Sequence, residues 1–186
     1  MIGTTSMFEQ VMGADFSKLG GAVQRFHRLA GCHVLQGWVE TRAPRSLLAK
    51  LLAVSLGSPM RSSQGSMRFE LRAGPDCETW TRFFPKQVMR STLRRREREI
   101  VESLGAARLT FALAANEQRL VMRLLRLHFL GLRCPAWLAP RILAEETGSG
   151  DQLQFQIEAA IPWVGIVASY RGHLVLPTEE PPDGCA

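Results

Sequence analysis

Lysine is scarce in this chain. Of 23 basic side chains only Lys18, Lys50 and Lys86 are lysines, and the other 20 are arginines. The simplest source of that bias is codon usage in a GC-rich genome. Its chemical effect is that basic sites present guanidinium forks, which hold carboxylate or phosphate bidentately. Other absences exclude whole kinds of chemistry. No apolar run reaches the roughly 18 residues of a membrane-spanning helix. The four cysteines, Cys32, Cys77, Cys134 and Cys185, form no C-x-x-C pair, so a zinc or thioredoxin-type site has no support. His27, His33, His128 and His173 do not fall at metal-ligand spacing and no H-E-x-x-H occurs, so no metal is expected. No G-x-G-x-x-G follows a strand, and there is no phosphate-binding loop or G-x-S-x-G elbow. No cofactor is therefore expected, and whether the chain is an enzyme stays open. The N-terminus has no basic stretch followed by an apolar one, so no signal peptide is read there. A cytoplasmic protein with reduced thiols is the expectation.

The chain has 186 residues, 46% hydrophobic and 22% charged, enough for one packed domain and short for two. That domain is read over residues 1–176, with 177–186 as a disordered acidic tail. The net charge is +6, concentrated in 86–108 and 119–141, the second of which has no acid. A basic face of this kind can attract an anionic partner. A solvated outer sheet face is the favoured reading, and nucleic acid is not the expected partner.

The first 30 residues read as short helices. Ser6 and Glu9 have capping-box spacing, and Val23, Phe26 and Leu29 share one helical face. Residues 33–42 read as a strand. Pro44 then opens a leucine-rich helix, stopped by Gly57 and Pro59. Core packing is its favoured role; a lid over a barrel mouth and a membrane-surface element are the others. From Gly65 the apolar period changes from 3.6 to 2. Met67, Phe69 and Leu71 alternate with charged residues, Ala107, Leu109, Phe111 and Leu113 with Arg108, Thr110 and Ala112, and later Leu153, Phe155, Ile157 and Ala159 with Gln and Glu. About nine or ten strands result, joined mostly by short turns that require antiparallel neighbours. Such a meander must curl or close to hide its edges. The expected fold is α+β: a mainly antiparallel, strongly curved sheet or barrel, with N-terminal helices and one helix between the first two strands.

The segments SLLAKLLAVSLGSP (46–59), ETWTRFF (78–84), MRSTL (89–93), GLRCPAWLAPR (131–141) and FQIEAAIPWVGIVASYRGHL (155–174) occur in that order. With His27 ahead of the first strand, they resemble DUF4166, a bacterial domain family with no established activity, over residues 7–176. The run RRRERE at 94–99 is more basic than that family's pattern. The resemblance implies that such domains stand alone or behind saccharopine-dehydrogenase-like or short-chain oxidoreductase domains. An oxidoreductase partner, with this chain in an accessory or catalytic role, is one implied function.

Parity puts Glu78, Trp80, Arg82 and Phe84 on one face of a strand. In a barrel, Trp80 and Arg82 could hold a ligand with an apolar body and an anionic end. Tyr170 shares a face with Ala168 and Leu174 and reads as core-facing, its hydroxyl needing a partner. Trp38, Trp80, Arg82 and Tyr170 are the candidate ligand contacts. Glu40, Glu145 and Glu158 are strand carboxylates with acid–base potential, surface exposure being the favoured reading for Glu158. His27 reads as a packed or capping histidine and Ser91 as a strand serine. The leading functional expectation is a non-catalytic module binding a hydrophobic or amphipathic small molecule in a barrel cavity. The oxidoreductase-linked role and a basic interaction module are the alternatives.

Overall fold

The computed structural model describes residues 5–177; the tail expected at 177–186 lies, apart from Pro177, outside them. Two short helices open the chain, α1 (Met7–Met12) and α2 (Gly21–Arg28), with a 3-10 turn between. The Ser6–Glu9 capping box forms at the start of α1, with Ser6 Oγ accepting from the Glu9 amide at 3.3 Å. A leucine-rich helix, α3 (Leu47–Leu56), joins β1 (Gly31–Thr41) to β2 (Ser63–Ala73). The chain then meanders through β3 (Cys77–Phe84), β4 (Gln87–Arg96), β5 (Glu99–Leu104), β6 (Ala107–Asn116) and β7 (Arg119–Phe129). After the two-residue β8 (Leu132–Arg133) it continues through β9 (Arg141–Ser149), β10 (Gln152–Ile161) and β11 (Gly165–Val175).

Hydrogen bonding follows the order β6-β5-β4-β3-β2-β1-β11-β10-β9-β7, and a β6–β7 pairing closes the ring. The result is a closed antiparallel barrel of ten strands, with β8 appended to β7. The expected α+β class, the helix positions and the meander are all present. The arginine-rich 94–99 run makes a tight β4–β5 hairpin, with Glu97 in the left-handed region (φ 56°).

The two ends of the barrel differ. At one end α1 and α2 act as a plug: the Gly20 amide donates to Gln118 O at 2.8 Å, and Arg25 bonds to Gly150 O. Phe8, Phe16, Val23 and Phe26 from this plug merge with the barrel interior in one cluster. At the other end α3 lies across the opening. Ser46 Oγ donates to Val164 O at 2.8 Å at its start, and the Ala106 amide donates to Ser55 O at 2.9 Å near its end.

The favoured role for α3, packing its leucines into a core, holds only for Leu52 and Leu56, which are partly buried. The residues it buries are Ala49 and Ala53, set against Val167 of β11. Two alanines four residues apart let the helix sit close to the strand. Leu47, Leu51 and Val54 are turned to the outside, and Leu48 is half-exposed at the barrel opening.

Cys77 and Cys134 are free thiols, but Cys32 is disulfide-bonded, so the expectation of reduced thiols fails at that residue. No helix among the described residues is long and apolar enough to cross a membrane.

Candidate functional site

Strand alternation builds the barrel interior. On β3, Glu78, Trp80, Arg82 and Phe84 are buried and their neighbours are not. On β6, Ala107, Leu109 and Phe111 point inward; on β11, Ala168 and Tyr170 do. Side chains fill the plugged end. Towards α3 they leave a cavity of about 330 Å³, within the range of small-molecule pockets. Its walls are mostly aliphatic: Leu93, Leu104, Leu109, Met122, Ile142 and Ile157 are representative. Leu48, Leu52 and Leu56 of α3 cover it from above, beside Cys134, Leu138 and Pro140.

The polar groups gather at the floor. Arg82 is 6% exposed, yet it makes no ion pair among the described residues. Its one hydrogen bond is from Nη1 to Ser91 Oγ at 3.1 Å. The guanidinium also lies 5.0 Å from the Trp80 ring and 5.8 Å from Phe69. Tyr170, across the interior, is buried with its ring edge-on to Phe84 and Phe155. Burial raises the Tyr170 pKa, against the nearby Arg82 charge, which lowers it. The hydroxyl thus keeps its proton and can donate to a ligand. Glu102 and Glu146 also border the cavity. At the mouth side, Ser58 Oγ is buried with no partner.

Behind Trp80, between floor and plug, sits a second polar group. His27 of α2 meets Glu146 of β9, Nε2 to Oε2, at 2.7 Å, both residues buried. His27 stacks on Phe8 at 3.8 Å, and its Nδ1 has no partner. Glu78 accepts from Trp80 Nε1 at 2.8 Å. Burial pushes the Glu78 carboxyl up to about 7, although His27 and the Trp80 bond pull the other way.

Three candidate ligand contacts, Trp80, Arg82 and Tyr170, therefore come together on the cavity wall. Trp38 does not join them. It has the opposite parity to the buried Leu35 and Val39 of β1, so it points outward, 37% exposed, into a shallow surface groove with Arg171 and His173. The expected surface carboxylates are partly ion-paired: Glu40 with Arg171 at 2.6 Å and Glu145 with Arg119 at 3.7 Å. The carboxylate that matters inside is the neighbouring Glu146. Its parity with Ile142 and Ala144 was the available signal, since an acid on an apolar strand face needs a buried partner. His27 is the packed histidine expected, with the addition of that carboxylate. Ser91 is a buried strand serine, with the addition of Arg82 as its donor.

Fold and site together define a class: a closed antiparallel β-barrel, plugged at one end, holding a largely apolar cavity bordered by one buried arginine, a tyrosine and carboxylates. The chain belongs to the family described as Domain of unknown function (DUF4166), whose model matches residues 19–174. No curated protein matches the chain. Among solved structures it is similar to the crystal structure of Rv2717c from M. tuberculosis, at 10% identity and a TM-score of 0.47, covering 86% of this chain and 99% of that one.

Proposed function

We propose that the barrel is a binding module for an amphipathic small molecule with an anionic head, held head-down in the cavity. The observation that carries this reading is Arg82. Burying a guanidinium costs several kcal/mol unless a counter-charge and further hydrogen bonds offset it. Here one serine hydroxyl is the only hydrogen-bond acceptor engaged; Glu102 and Glu146 border the same largely aliphatic cavity but neither is ion-paired with Arg82. A ligand carboxylate or phosphate would accept from the free N–H groups bidentately, and Tyr170 could supply a further donor. The aliphatic tail would then run towards α3 along Leu93, Leu109, Met122 and Ile157. Trp80 would contribute an apolar wall beside the head group.

The test is a competition titration. A fluorescent long-chain carboxylate is displaced by an unlabelled fatty acid, by its methyl ester or by the matching alkane. Displacement by the acid with a much weaker effect of the ester supports an anionic head at Arg82. Equal displacement by all three, or none by any, refutes the reading. Native mass spectrometry of the freshly purified protein reports any ligand already bound.

A further inference from the structure

We propose that the α3 end of the barrel docks on the surface of an anionic lipid bilayer; this goes beyond the ligand reading and stands without it. The first observation is the inverted polarity of α3. Leu47 and Leu51 are 85% and 67% exposed, while two alanines take the buried side. Water-facing helices do not normally turn large aliphatic side chains outward in a row.

The neighbouring loops do the same. Trp137, in the segment between β8 and β9, is 73% exposed, and Trp163, in the β10–β11 turn, is 99% exposed. Trp163 also sits in the left-handed region at φ 67°, an expensive conformation for a bulky residue. Ser46 Oγ ties α3 to this turn, and Leu138 borders the same cavity as Leu48. The three elements therefore rim one opening.

The second observation is charge, and it selects the partner. The connecting segments at this end, 42–62, 130–141 and 162–164, carry Arg42, Arg45, Lys50, Arg61, Arg133 and Arg141 and no acid. At the plugged end, by contrast, each hairpin turn holds an acid: Asp76, Glu97, Glu117 and Asp151. The plugged end thus mixes both signs, with Arg98 beside Glu97 and with Arg95 and Arg119 paired to Asp76 and Glu117, whereas these α3-end segments carry cations alone. A second copy would bring six cations against six cations. An anionic bilayer instead offers hydrocarbon to the leucines, an interface that suits tryptophan, and negative headgroups to the basic rim.

The experiment is co-sedimentation of the full chain with phosphatidylcholine vesicles, with and without phosphatidylglycerol. Binding is expected on the mixed vesicles, weak on phosphatidylcholine alone, and lower as salt rises. L47Q/L51Q should reduce partitioning by about tenfold or more. R45Q/K50Q should reduce it by about fivefold per charge, on the anionic vesicles alone. W137S/W163S provides a second apolar test at positions whose exposure leaves the fold unaffected. None of these side chains lines the cavity, so each variant should keep its affinity for a soluble fluorescent carboxylate; that readout separates failure of docking from failure of the ligand reading. Absence of binding to mixed vesicles, or equal binding by L47Q/L51Q and wild type, overturns the proposal. So does a dimer in lipid-free solution that L47Q/L51Q dissolves, which would assign the face to a second copy.

Discussion

Replacing Arg82 with methionine, a straight chain of similar reach without the charge, separates a ligand contact from a structural one. Buried in the barrel, Arg82 carries a desolvation cost of several kcal/mol. Set against it are one hydrogen bond from a charged donor, about 1.5–3 kcal/mol, and two aromatic contacts at 5.0 and 5.8 Å, about 0.5–2 kcal/mol each when desolvated. The two sides are of similar size. Arg82→Met should therefore keep the urea midpoint within about 1 kcal/mol of wild type, with the same m-value. The same substitution removes the head-group anchor. Loss of charge-assisted hydrogen bonds to a carboxylate should weaken its binding by about a hundredfold. Urea titration gives the first quantity and calorimetric titration of a long-chain carboxylate the second. A variant that loses about 2 kcal/mol or more of stability while binding the carboxylate as wild type does would refute the reasoning. The guanidinium would then be a satisfied structural group.

Glu78 predicts a pH dependence. Its carboxyl rises from 4.5 to about 7 on folding, so the folded state holds that proton more tightly than the unfolded state. The stability linked to it is complete below about pH 4.5 and is lost as pH climbs through about 7, roughly 3 kcal/mol in all. Glu78→Gln, which can still accept from Trp80, should flatten that slope between about pH 5 and 8 in urea melts; an unchanged slope would refute its assignment to Glu78. Trp163→Gly relieves a left-handed backbone and should raise stability by about 0.5–1 kcal/mol, net of glycine's entropy cost, a gain that thermal unfolding would detect or deny. At Gly105, φ is 53° and an added Cβ would lie 2.2 Å from Ser55 O, the acceptor that holds the end of α3. Gly105→Ala should cost about 2 kcal/mol or more and accelerate hydrogen exchange in α3 ahead of the barrel strands; equal protection in both proteins would show that this anchor does not hold the helix.

Much of the barrel was legible because strand alternation is a local signal. Leu109 and Phe111, Leu120 and Met122, and the Trp80–Arg82 face all point as their spacing requires. Turn residues gave the antiparallel order, and length alone made closure the economical solution. Two misreadings have physical causes. Trp38 attracted attention by residue type, although its parity with Gln36 and Glu40 already placed it outside. The α3 leucines look like a core stripe because periodicity reveals which residues share a face and not which face a neighbour will cover. The alanine pair, a subtler signal, decided that. Glu146 was hidden by the adjacent Glu145, and its histidine partner lies 119 positions away, a distance over which local pattern carries no information.

The ring has one seam that is remote in sequence: β1 meets β11, with Gly37 opposite Leu174 and Thr41 opposite Tyr170. Every other wall joins strands much nearer along the chain. Until β11 docks, Tyr170 is missing from the interior and no enclosed space exists to receive a guest. Bringing those partners together closes a loop of more than a hundred residues, the kind of contact that slows folding. A guest that touches Tyr170 and Arg82 at once would bridge strands from both sides of that seam. Its effect would then be kinetic as well as thermodynamic, acting as a latch that slows reopening of the finished ring.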